Sequence, residues 1–88
     1  MLQIPSHVKW RLEDGEMVVF DPIQGKVHVL NAVASKIWAL LDTEKVMTDI
    51  VEELSGRYPE IPTEKIRQDV DAFVRELTQK GLLKSDDH

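Results

Sequence analysis

HVKWRLEDGEMVVFDPIQGKVHVL, residues 7–30, decides the fold. From His7 to Glu13, Val8, Trp10 and Leu12 alternate with Lys9, Arg11 and Glu13, the period-two pattern of a half-buried strand. Asp14-Gly15 follows between apolar runs, and such a pair signals a tight hairpin because the turn needs positive φ, which glycine adopts freely. A second strand runs from Glu16 to Asp21, with Met17, Val18, Val19 and Phe20 apolar on both faces, as suits the centre of a three-stranded sheet. Asp21-Pro22-Ile23-Gln24-Gly25 places proline and glycine where a turn uses them, and a third strand runs from Lys26 to Leu30. The result is an antiparallel meander. Its third strand is an edge, with backbone N–H and C=O groups left for a partner unless another element covers them.

Downstream the apolar period lengthens to that of helices. Asn31 is placed to cap a helix from Ala32 to about Asp42, along which Ala34, Ile37, Trp38 and Leu41 form one apolar stripe. Thr48 is the expected cap of a second helix, with Asp49 in its first turn and Ile50, Val51, Leu54 and Tyr58 on its buried side. Gly56 and Pro59 are its expected stop. Thr63 is the expected cap of a third helix, whose apolar face carries Ile66, Val70, Phe73, Val74 and Leu77, and Gly81 is its expected C′ residue. The segment from Ser85 to His88 is expected to fray. Strands followed by helices make an α+β domain with the helices on one face of the sheet, and we expect residues 1–88 to form one such domain with an ordered core of about 7–84.

Composition narrows the function. The chain has 88 residues, 11 basic and 16 acidic side chains, and a formal net charge of −5. That balance runs against a nucleic-acid partner, which calls for surplus Lys and Arg on one face. No apolar run approaches the roughly 18 residues of a membrane span, and the N-terminal residues lack a signal-peptide pattern, so a cytoplasmic protein is expected. Without cysteine there is no disulfide, thiolate metal site or catalytic thiol. His7, His28 and His88 fall on separate segments with no metal-ligand spacing, and no metal or cofactor is expected. The sequence carries no nucleophile elbow, P-loop, dinucleotide fingerprint or HExxH motif, which argues against an enzyme.

Several short pieces follow one another in an ordered series. They are Asp14-Gly15, Asp21-Pro22 with Gly25, Leu30-Asn31, Ile37-Trp38 with Leu41-Asp42, Thr48 with Ile50 and Leu54, Asp69-Val70 with Phe73 and Leu77, and Gly81-Leu82-Leu83. On this series, residues 8 to 83 resemble the PqqD-like family, the leader-recognition domains of bacterial peptide-modification pathways. The resemblance implies a winged-helix-like fold and a non-catalytic adaptor. Such an adaptor binds the leader of a ribosomally made precursor peptide as an added strand and delivers it to a modifying enzyme. In a pathway to pyrroloquinoline quinone or a thioether peptide, the partner it implies is a radical SAM enzyme, which would itself hold any iron–sulfur cluster or S-adenosylmethionine. In a lasso-peptide pathway the implied partner is a leader peptidase. The segment Asp42-Thr43-Glu44-Lys45-Val46-Met47 departs from the short Asp-Gly turn common in the family and leaves the pathway open.

The implied peptide site pairs the third strand, Lys26, Val27, His28, Val29 and Leu30, with Asp69, Val70, Phe73, Val74 and Leu77 of the third helix. Alternation puts Val27 and Val29 on one face of the strand and His28 and Leu30 on the other, and either pair can line the groove. The four apolar helix residues suit a groove and a core equally, while Trp10 and Trp38 suit core anchors. The same open edge would let a second copy pair as a homodimer. The alternative function is a winged-helix DNA-binding transcriptional regulator. Against it, Lys65, Arg67, Arg75 and Lys80 of the third helix are balanced by Glu64, Asp69, Asp71 and Glu76.

Overall fold

The computed structural model describes residues 2–43 and 46–85, so Glu44 and Lys45 of the long inter-helix segment and residues 86–88 of the expected frayed tail lie outside the described residues. The elements in chain order are β1 (Leu2–Gln3), β2 (Lys9–Glu13), β3 (Glu16–Asp21), β4 (Lys26–Val29), α1 (Ala32–Thr43), α2 (Met47–Arg57), α3 (Thr63–Gln79) and β5 (Lys84–Ser85). Strands β2, β3 and β4 form an antiparallel sheet in that order, followed by three helices, which is the α+β architecture expected from the sequence. The meander's third strand is thus β4.

Local chemistry shapes the sheet. Asp14 (φ 50°) and Gly15 (φ 81°) both lie in the left-handed region, so the two-residue β2–β3 turn matches the strand twist and fixes Glu13 opposite Glu16. At the next turn the Asp21 carboxylate, 1% exposed, accepts hydrogen bonds from the backbone N–H groups of Ile23 (3.0 Å) and Gln24 (3.2 Å). The Gln24 amide donates to the other Asp21 oxygen and to the Lys80 carbonyl, each at 3.0 Å. The turn that launches β4 is thereby tied to the end of α3.

One face of the sheet carries Met17 and Val19, both buried, and Trp10, which meets the fully buried Trp38 of α1 edge to face at 5.6 Å between ring centroids. The helices complete the core with Ile37 and Leu41 of α1, Ile50 and Leu54 of α2, and Val70, Val74 and Leu77 of α3. Asn31 caps α1 as expected, its side-chain oxygen accepting from the Ala34 N–H at 2.8 Å.

The other two helix starts differ from the sequence reading. Helix α2 begins one residue before Thr48, with extended Val46 at the cap, and α3 begins at Thr63 itself, with Pro62 at the cap; neither cap residue makes a side-chain hydrogen bond. The Pro62 carbonyl instead accepts from the N–H groups of Lys65 (3.0 Å) and Ile66 (3.2 Å), and proline's fixed φ suits a helix entry. Gly56 lies inside α2, which runs to Arg57. Leu2 and Gln3 pair with Ser85 and Lys84, so the chain is held in strand pairing through Ser85, where fraying was expected; two-residue strands are too short to carry a periodic signal. Among the described residues no helix is long and apolar enough to cross a membrane.

Candidate functional site

β4 pairs with β3 in the register Val18–Val29, Val19–His28, Phe20–Val27 and Asp21–Lys26, and among the described residues no strand lies on its other side. Opposed residues of an antiparallel ladder alternate between pairs that exchange both backbone hydrogen bonds and pairs that exchange none. The Leu30 N–H donates to the Met17 carbonyl at 2.8 Å, which sets the phase. His28 and Lys26 therefore spend their backbone groups on Val19 and Asp21, and Val27 and Val29 direct N–H and C=O outward. Four backbone groups, two donors and two acceptors, stand open along this edge.

The side chains divide by face, and the structure shows which pair lies toward the helices. Leu30 is buried and His28 half-buried on the face shared with Val19, toward the helices. Val27 and Val29 project from the opposite face, 60% and 63% exposed. Lys26 is exposed at the start of the strand.

On α3 the expected residues separate in the same way. Val70, Val74 and Leu77 are fully or almost fully buried in the core, whereas Phe73 packs against that core and keeps part of its ring in solvent. Three residues after Val70 and four before Leu77, Phe73 borders the buried stripe on the flank that also holds Asp69 and Glu76. Asp69 is exposed and pairs with Lys65 at 3.1 Å, and Glu76 pairs with Lys80 at 2.9 Å. Arg75 meets Asp71 at 3.0 Å and Arg67 meets Glu64 at 2.6 Å, so each of these basic groups on α3 has an acidic neighbour. Exposed pairs of this kind hold each other by about 0.3–0.5 kcal/mol and exchange readily for a charged ligand. Of the ten residues expected at the site, the edge of β4, His28, Phe73 and Asp69 are accessible in the monomer, while Leu30, Val70, Val74 and Leu77 serve the core beneath.

Two supports escaped the sequence reading. The hydroxyl of Ser35 donates to the Leu30 carbonyl (3.0 Å) and accepts from the Met17 N–H (2.7 Å), which fixes where β4 ends. Gln24 secures its other end through Lys80. Neither gives a local signal, because Met17 lies 18 residues from Ser35 and Lys80 lies 56 from Gln24. Among the described residues no group of His, Cys, Asp and Glu has the arrangement of a metal site.

Two solved structures share the architecture. TbiB1 in complex with the TbiA(beta) leader peptide is 29% identical, with a TM-score of 0.90 over 98% of this chain and 99% of that one. A lasso peptide synthetase B1 complexed with the leader peptide is 23% identical, with a TM-score of 0.85 over 96% of this chain and 98% of that one, a likeness of fold. No curated protein matches the chain. The family model described as coenzyme PQQ synthesis protein D (PqqD) matches residues 16–83, from the start of β3 to the segment beyond α3, and by that match the chain belongs to the PqqD family.

Proposed function

We propose that the chain is a non-catalytic adaptor that captures the leader of a ribosomally synthesised precursor peptide as a fourth strand on β4 and brings it to a modifying enzyme. The observation that carries this reading is the open margin at Val27 and Val29, whose backbone groups point away from β3. Membership of the PqqD family supports it, as does the likeness to TbiB1, which is described in complex with a leader peptide.

Magnitudes say what else the site needs. Four backbone hydrogen bonds at a net ~0.5–1.5 kcal/mol each give about 2–6 kcal/mol before the ordering of a flexible peptide is subtracted. Micromolar affinity needs about 8 kcal/mol. Side chains must supply the difference, and on this reading the half-buried Phe73 of α3 and His28 of β4 are the helix-side contacts, with the exposed Asp69 available to a basic leader residue. Delivery works by raising the local concentration of substrate at the enzyme. The enzyme is a radical SAM protein in a quinone or thioether pathway and a leader peptidase in a lasso pathway. In the absence of leader, the same edge pairs with a second copy.

The test is an amide-resolved NMR titration of the full chain with synthetic leader peptides from quinone, thioether and lasso precursors. A true leader shifts the amides of Val27 to Val29 and of α3 around Phe73 and protects the Val27 and Val29 amides from exchange. Saturable binding whose shifts avoid β4 would remove the proposed mode of capture.

A further inference from the structure

The helix-free face of the sheet is apolar beside the open edge. Opposed residues there form two rows across the three strands, Lys9–Phe20–Val27 and Arg11–Val18–Val29. Basic groups are confined to β2, the strand farthest from the edge, while β3 and β4 present Val18, Phe20, Val27 and Val29. Phe20 is 40% exposed, and the two β4 valines are more than half exposed. A shallow groove of about 360 Å³ lined by Lys9, Trp10, Arg11, Val18, Phe20 and Val27 runs over this surface. A sheet edge left free is normally guarded by charge, because exposed β-branched pairs beside unpaired backbone invite unwanted strand addition. Here the two residues with outward backbone groups are themselves the exposed valines.

Resting on the adaptor reading, we infer that this outer face is a second specificity surface for the peptide, so that the leader is read on both sides of the added strand. Residues directly opposite on neighbouring strands share a face. The peptide residues opposite Val27 and Val29 therefore direct their side chains onto the outer face, whichever way the segment runs, and the residue between them, opposite His28, enters the helix-side groove. Adjacent strands lie about 4.8 Å apart. An aliphatic or aromatic side chain beside Val27 thus covers the valine and leans toward Phe20, and one beside Val29 leans toward Val18. The ligand class is a short extended segment with large apolar residues at both outward positions, two apart, in addition to the groove residue between them. Continuity with the backbone edge favours the peptide as occupant, since the same two valines supply the hydrogen bonds and the apolar contact.

The experiment selects random displayed peptides against the immobilised full chain, confirms by amide shifts that the enriched peptides bind at β4, and then substitutes Ser at each peptide position in turn. Serine at either outward position is expected to weaken binding two- to fivefold, the range of a cross-strand apolar pair. Against a Val27→Thr/Val29→Thr variant, which keeps β-branching, the same serine substitutions are expected to cost nothing further, while the groove position keeps its full effect. The wild-type measurement stands by itself if that variant loses its fold. Outward positions that accept Ser or Lys without loss would overturn the inference and leave the strand-addition reading intact; enriched peptides that bind without shifting β4 would overturn both.

Discussion

A single hydroxyl ends β4. A regular ladder would pair the Met17 N–H with the Leu30 carbonyl, but Ser35 Oγ stands between them and bonds both, so the strands part and the chain turns into α1. Ser35→Ala leaves two buried backbone groups unpaired, and a loss of about 1–3 kcal/mol in urea unfolding is expected. A loss below a few tenths would mean that the two backbone groups close on each other without the serine. Phe73 belongs to the same scale. Because its ring is only half-buried, Phe73→Ala is expected to lower stability by less than the ~3–5 kcal/mol of a fully buried aromatic while weakening a bound leader by about 1–3 kcal/mol. Unchanged affinity in the folded fraction would assign Phe73 to the core alone. These residues also mark what the sequence could disclose. Asn31 was legible as a cap because its partner, Ala34, is three positions away, whereas Ser35 reaches back eighteen to Met17, and no local pattern announces that.

β4 was legible as a strand and as an edge, because alternation and turn residues are local signals, and the Asp14-Gly15 hairpin fixed the order of β2 and β3. The identity of its two faces was not, since Val27 with Val29 and His28 with Leu30 are equally plausible core pairs; only the helices settle which side is covered. The ladder phase makes a paired prediction at this scale. Val29→Pro removes an outward N–H that β3 does not use, and proline is tolerated on edges, so the variant is expected to fold and to lose leader binding. His28→Pro removes an N–H donated to β3 and is expected to be much the less stable of the two by circular dichroism melting. Equal damage from both would mean that the phase is assigned the wrong way round. The end of α3 follows the same local logic. Lys80 caps the helix, the Leu82 N–H reaches the Leu77 carbonyl (2.9 Å), and the Gly81 N–H reaches that of Thr78 (3.2 Å). Gly81 sits at φ 77°, where a Cβ would also lie 3.2 Å from the Gln24 amide nitrogen that holds the β4 turn. Gly81→Ala is therefore expected to cost about 1–2 kcal/mol, read as a lower denaturation midpoint.

At the scale of the molecule, the expectation of a peptide partner rather than a nucleic acid rests on charge and on what the fold leaves open. With a formal net charge of −5 and the basic groups of α3 paired with acids, the described residues of α3 do not gather the surplus positive charge that phosphates call for. Its open feature is backbone. A ligand that adds a strand to the native sheet binds only the folded form, so occupancy and stability are linked. At free leader about one hundredfold above its Kd, the folded state gains about 2.7 kcal/mol. For a domain of this size each kcal/mol raises Tm by about 4–8 °C, which makes the expected shift roughly 10–20 °C. Duplex DNA at equal concentration is expected to leave Tm unchanged at low salt, where phosphate binding is strongest. Carried out on the Val29→Pro variant, the same leader titration separates the possible causes: a peptide clinging to the apolar outer face alone still raises Tm, whereas one that must pair with the backbone of β4 loses nearly the whole shift. A full shift in that variant would show that the leader does not depend on the β4 backbone.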